Sequence, residues 1–98
     1  MELYNKYKTK YLKMKKQMED IKQFKIADFY QAVILKTCGL QLASLERGSG
    51  KFVTFVFDDP DFQAEEILGR YWNGEIQANA RTLIENINEL KTRIYSKT

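Results

Sequence analysis

Few residues of this chain are of the types that most often carry chemistry. It has no histidine and one cysteine, Cys38, which excludes imidazole acid–base catalysis, the usual zinc sites and an internal disulfide. The carboxylates Asp58, Asp59 and Asp61 are close enough in sequence to bind a divalent cation. The same residues, with Pro60 among them, also have the usual composition of a turn that caps a helix, which is the interpretation we favour. We therefore expect a non-enzymatic protein with no catalytic residue, metal site or cofactor.

Positively charged side chains offer a second kind of chemistry, the binding of anions. The net charge of the 98 residues is +3, but residues 1–25 hold eight lysines against three acidic residues, a net +5, and the remainder is at −2. A lysine face can follow a phosphate backbone without reading its sequence, and the lysines in question are Lys6, Lys10, Lys13, Lys15 and Lys16. A small anion pocket would form if the fold brought together Arg47, Lys51, Arg70 and Arg81.

The lysine-rich segment is predicted to be a helix. No proline or glycine occurs from Leu3 to Gln23, and apolar side chains recur there at alternating spacings of three and four residues: Tyr4, Tyr7, Tyr11, Met14, Met18 and Ile21. We call this set the N-terminal stripe. Such a repeat over three heptads is typical of a helix that packs one narrow face against a partner. Two alternatives stay open: the stripe pairs with the same helix of another copy, or it folds back onto its own domain or frays as a basic arm.

A β-hairpin is predicted in the middle of the chain. Residues 51–57 are rich in β-branched and aromatic side chains, and Gly48-Ser49-Gly50 separates them from a second run over residues 40–47. An isolated hairpin is only marginally stable in water, so the neighbouring segments must cover it. Because residues 52–57 are almost all apolar, we expect either that both faces of this strand are covered or that one face meets a second subunit.

Helices are predicted on both sides of the hairpin. The heptad pattern ends within residues 23–27, and a short helix follows between Asp28 as N-cap and Gly39 as C′ residue, with Cys38 as a small buried apolar side chain. After the hairpin, a helix is expected to begin with Asp59 as N-cap and Pro60 at its first position, and to end at Asn73-Gly74.

A last helix is predicted from about Gln77 to Tyr95. Its apolar side chains recur every three or four residues and form a wide face: Ala80, Leu83, Ile84, Ile87, Leu90 and Ile94.

The order of these features resembles that of a known family. The resemblance rests on Asp28-Phe29-Tyr30, Gly39-Leu40, Phe55-Val56-Phe57-Asp58-Asp59, Tyr71-Trp72-Asn73-Gly74, Glu89-Leu90-Lys91 and Ile94-Tyr95-Ser96. This arrangement, over about residues 26–97, is similar to small bacterial and phage proteins known only as a domain of unknown function. The resemblance implies a bacterial or phage accessory protein and assigns no catalytic or binding residue. Many members begin near the position of Ile26, so the basic helix looks like an added element.

The sequence thus predicts an α+β fold in two parts, a basic helix over residues 1–25 and a small domain over residues 26–98. Its elements are a long N-terminal helix, a short helix, a β-hairpin and two C-terminal helices packed on the hairpin. We expect a homo-oligomeric interaction protein of the cytoplasm, without membrane contact, that assembles through the N-terminal stripe, the hairpin or both, and that could bind a further protein partner. The alternatives are sequence-nonspecific nucleic-acid binding by the lysine face, and a small phage protein that inhibits or sequesters a host defence component.

Overall fold

The computed structural model describes residues 22–48 and 52–96. The elements in these ranges are β1 (Gln23–Ile26), α1 (Phe29–Thr37), β2 (Gln41–Arg47), β3 (Val53–Asp58), α2 (Ala64–Trp72) and α3 (Ala80–Tyr95). The α+β class and the hairpin of β2 and β3 are confirmed. The predicted N-terminal helix, with its stripe and its lysines, lies outside the described residues, as does Lys51.

The three strands form one antiparallel sheet in the order β1–β3–β2. In register with the central strand, Phe24 of β1 lies opposite Phe57, and Ile26 lies opposite Phe55. β1 is absent from the sequence prediction, which places only the end of the heptad pattern there. The alternation of polar and apolar residues in Gln23–Ile26 is a strand signal, but four residues are too few for that signal to stand alone.

The central strand is buried on both of its faces. Phe55 and Phe57 are at most 1% exposed and pack with the apolar side chains of the three helices. On the opposite face Val56 is also 1% exposed. Beside it an ion pair crosses the strand, with Lys25 Nζ 3.1 Å from Glu46 Oε2. The residues directly opposite Val56 on this face, Lys25 and Ser44, are exposed, so the helices cover the strand on its other face only, and the choice between the two alternatives for this strand stays a prediction.

Helix α1 is buried through four consecutive residues, Ala32 to Leu35, so more than one side of its middle turn is covered. It packs against both α2 and α3. The predicted limits are confirmed: Asp28 Oδ1 accepts a hydrogen bond of 2.9 Å from the Gln31 amide, and Gly39 follows the helix with φ +106°. The side-chain amide of Asn86 donates a 3.0 Å hydrogen bond to Thr37 Oγ1, which fixes α3 against α1.

Helix α2 begins four residues later than predicted, at Ala64 rather than Pro60. Phe62 has φ +54°, which a right-handed helix cannot include, so the chain turns before the helix starts. Asp59 still acts as a cap from across this turn, because its carboxylate accepts hydrogen bonds from the amides of Gln63 (2.7 Å) and Ala64 (3.1 Å). The predicted end of the helix at Asn73-Gly74 is confirmed, with Gly74 at φ +73°.

Helix α3 begins at Ala80 rather than near Gln77, because Asn79 supplies the cap by accepting a 3.0 Å hydrogen bond from the Thr82 amide. Its buried face is narrower than the predicted one. Leu90 is fully buried, whereas Ile84 is 56% exposed and the polar Asn86 is buried in the interface with α1.

Two glycines in open surroundings should respond in opposite directions to alanine, since an added Cβ would meet no atom within 4 Å at either site. Gly69 lies inside α2, so Gly69→Ala should raise the free energy of unfolding by about 0.5–1 kcal/mol. Gly39 has a positive φ, so Gly39→Ala should lower it by about 1 kcal/mol. Urea unfolding of both variants measures the difference, and shifts of the same sign would contradict this account.

Candidate interaction surfaces

Two adjacent depressions lie on the helical layer and share the side chain of Ile76. The first has a volume of about 250 Å³, the second about 320 Å³. The first is lined by Cys38, Gln63, Glu66, Ile67, Arg70 and Ile76, and the second by Ile34, Tyr71, Gly74, Ile76, Ala78 and Leu83. We call the two together the helix-layer groove. It runs from the start of α2, across the connection between α2 and α3, to the first turn of α3.

The groove combines an apolar floor with a charged rim. Ile34, Ile67 and Leu83 supply most of the floor and are buried or half-buried. On the rim Arg70 and Glu66 form an ion pair of 3.4 Å. Concave apolar surfaces with polar rims bind apolar side chains of a partner, so this groove suits an amphipathic helix.

Cys38 lies at one end of the groove and is exposed, which corrects the prediction that it is buried. Cys38 is the C-cap residue that follows the last residue of α1, so it lies at the helix terminus and not on the buried face. Desolvation by its surroundings raises the pKa of the thiol above its usual value, which reduces the thiolate fraction at neutral pH. A nucleophilic cysteine requires the opposite shift.

Asp58 ends β3, and Asp59 and Asp61 lie in the turn between β3 and α2. Asp58 accepts a 3.3 Å hydrogen bond from the side-chain amide of Gln23. Asp59 caps α2, and Asp61 is exposed. In the part of the chain that the structure describes, no three His, Cys, Asp or Glu residues are grouped so that they could hold a metal ion.

Arg47 and Arg81, two of the described residues proposed for the anion pocket, lie far apart in the structure. The Arg47 guanidinium donates 2.9 Å hydrogen bonds to the carbonyls of Arg93 and Ser96 at the end of α3, where the helix dipole favours a cation. Arg81 pairs with Glu85 in the first turn of the same helix. Arg47 therefore lies about 18 Å along the helix from Arg81. These long-range contacts left no signal in the sequence spacing.

The described chain begins beside the start of α2. The Lys22 carbonyl accepts a 3.1 Å hydrogen bond from the Asp59 amide, and Lys22 Nζ lies 4.7 Å from the centre of the Phe62 ring. Gln63, the next residue, lines the groove. The N-terminal segment therefore joins the domain at one end of the groove, a juxtaposition that sequence reasoning missed because it depends on β1 and on the turn at Phe62.

Three helices that cover one face of a three-stranded antiparallel sheet define a small two-layer α+β domain. No helix within residues 22–48 and 52–96 has both the length and the apolar character that a membrane crossing requires. The chain belongs to the family DUF5659, a domain of unknown function, whose sequence profile matches residues 21–96. The resemblance to such a family is thereby confirmed. No curated protein and no solved structure gives a match.

Proposed function

We propose that this protein is a non-enzymatic interaction protein that assembles with copies of itself through the N-terminal stripe. The supporting observation is the position of the stripe. It ends at Ile21, where the family match begins, so the stripe precedes a domain whose core is built from its own elements. Leu35, Phe57 and Leu90 in that core are fully buried. A further apolar stripe therefore needs a partner.

The composition of the stripe sets the expected strength of assembly. Three heptads form a short interface, and Tyr and Met fill a coiled-coil interface less well than Leu and Ile. Assembly should therefore depend on protein concentration, and a closed symmetric oligomer is the commonest outcome for identical chains.

The direct test introduces charge into the stripe. Tyr11→Asp combined with Met18→Asp should convert the multimer into a monomer, because each buried carboxylate would lose its water without gaining a partner. Light scattering on a sizing column, over a series of concentrations, measures the mass. The matched control is Asn5→Asp with Thr9→Asp, which adds the same charge at heptad positions outside the stripe and should leave the mass unchanged. An unchanged mass in the stripe variant would exclude the stripe from assembly.

The second candidate function is sequence-nonspecific binding of nucleic acid by the lysine face, favoured by the net charge of +5 over residues 1–25. It requires binding that weakens steeply with salt. Absorbance at 260 and 280 nm on the same column detects bound nucleic acid. A monomer that carries nucleic acid at low salt and releases it at high salt would favour this function over assembly.

In either case we propose a bacterial or phage accessory protein of the cytoplasm. Inhibition of a host defence component is a third proposal, supported only by size and resemblance.

A further inference from the structure

The point at which the N-terminal segment joins the domain limits where its stripe can go. Lys22 is held beside the start of α2 by its hydrogen bond with Asp59 and by its contact with Phe62. The groove starts one residue further, at Gln63, and extends past Ile76 to Leu83. As a helix, residues 4–21 would be about 27 Å long, and α2, which forms one wall of the groove, is about 13 Å long. The segment can therefore run back along the groove of its own chain.

The charges beside the stripe match those beside the groove. In the heptad pattern Lys8, Lys15 and Lys22 form one row next to the stripe, and the three acidic residues of the segment fall on positions away from it. Lys22, which the structure places in the non-helical chain just before β1, lies over the Phe62 ring. The chain around that ring is acidic: residues 58–66 contain five carboxylates and no basic residue.

We infer that the helix-layer groove binds residues 4–21 of its own chain in the unassembled protein. This inference rests on the proposed function in one respect, because the stripe that pairs between copies is the stripe that occupies the groove. Docking within one chain and pairing between chains then compete, and the groove sets the concentration at which assembly begins. Such competition between closed and exchanged contacts is a low-cost route to oligomers.

Cys38 provides a test, because it is the only cysteine and it lines the groove at the end nearest Lys22. With the segment docked, Met18→Cys should place a second thiol near Cys38, within the range of Cα separations that a disulfide spans. The matched control is Lys16→Cys, which lies at a similar distance along the chain but on the opposite side of the helix. Both variants are oxidised at micromolar concentration with copper phenanthroline and dissolved oxygen at pH 8.5, because the raised pKa of Cys38 slows reaction at neutral pH.

Intact mass and non-reducing gels separate the outcomes. We expect an intramolecular disulfide to form about tenfold faster in Met18→Cys than in Lys16→Cys. Equal rates in the two variants, or only intermolecular disulfides in Met18→Cys, would overturn docking within the chain. The second of these results would identify another copy as the occupant of the groove.

A second measurement uses variants of the groove itself. Ile76→Asp should release the segment and lower the concentration at which the protein assembles by about tenfold, since a competing contact is lost. The matched control, Ile84→Asp, changes an exposed isoleucine that does not line the groove and should leave this concentration unchanged. Circular dichroism checks that each variant is folded. If Ile76→Asp does not fold, Glu66→Lys on the exposed rim repels the lysines and should act in the same direction.

These measurements distinguish failure of this inference from failure of the proposed function. If no intramolecular disulfide forms preferentially and the groove variants leave assembly unchanged, docking is excluded and assembly through the stripe is unaffected. If the unmodified protein stays monomeric at every concentration, the proposed function fails, and the disulfide experiment alone decides whether the groove binds the segment.

Discussion

Replacing Phe57 by alanine is expected to lower the free energy of unfolding by about 3–5 kcal/mol, the range for large-to-small changes of buried aromatic residues. Phe57 is fully buried on the central strand and lies in register with Phe24 of β1 on one side and Leu42 of β2 on the other. Truncation leaves a cavity that neither neighbouring strand can close without losing its own pairing. Since small domains are stabilised by only about 5–15 kcal/mol, this one change should consume much of the total.

Urea unfolding followed by circular dichroism measures this loss. The matched control is Phe52→Ala, because Phe52 precedes the same strand and is 77% exposed. It should change the free energy of unfolding by no more than about 0.5 kcal/mol. Equal losses in the two variants would show that the burial of the strand in solution differs from that described above.

The second large effect is expected at Asp59. Asp59→Ala should lower the free energy of unfolding by about 2 kcal/mol. The carboxylate is 6% exposed and accepts hydrogen bonds from the amides of Gln63 and Ala64. Alanine would leave both donors without this acceptor, and Ala64 is fully buried. The cost therefore combines the loss of a helix cap with one unpaired buried amide, that of Ala64. Asp59→Asn keeps one acceptor oxygen, so its free energy of unfolding should fall by about half as much as that of Asp59→Ala.

The control for this variant is Asp61→Ala in the same turn. Asp61 is exposed, so its loss should change stability by no more than about 0.5 kcal/mol. Thermal and urea unfolding of the three variants should rank Asp59→Ala as least stable and Asp61→Ala as most stable. An Asp61 effect as large as that of Asp59 would mean that the total charge of the turn, and not the cap, stabilises it.

Local signals predicted those parts of the fold that local chemistry determines. Asp28, Gly39 and Asn73-Gly74 mark helix ends through backbone groups within a few residues, and each was placed correctly from sequence. β1 could not be placed in this way, because four alternating residues become a strand only when β3 pairs with them. The predicted start of α2, at Pro60, was wrong for a similar reason. A capping aspartate followed by a proline predicts that a helix starts at the proline, but Phe62 has a positive φ that a right-handed helix cannot include.

The candidate site was less predictable than the fold. The groove depends on Ile76, which lies in the connection between two helices and touches surfaces formed by residues far apart in sequence. Likewise, nothing in the spacing of the arginines shows that Arg47 binds the end of α3. Sequence patterns describe which side chains share an element, and these two features depend on how elements pack together.

The strand order β1–β3–β2 has a consequence for the synthesis of the protein on the ribosome. The central strand is the last of the three in sequence, so β1 and β2 both emerge before the strand that pairs with them exists. While the nascent chain grows from Gln23 to Arg47, Phe24 and Leu42 have no sheet to join. Completion of Val53–Asp58 then supplies the pairing edge for both neighbours at once. The sheet therefore cannot form progressively during translation, and the growing chain must remain soluble without it until β3 is made.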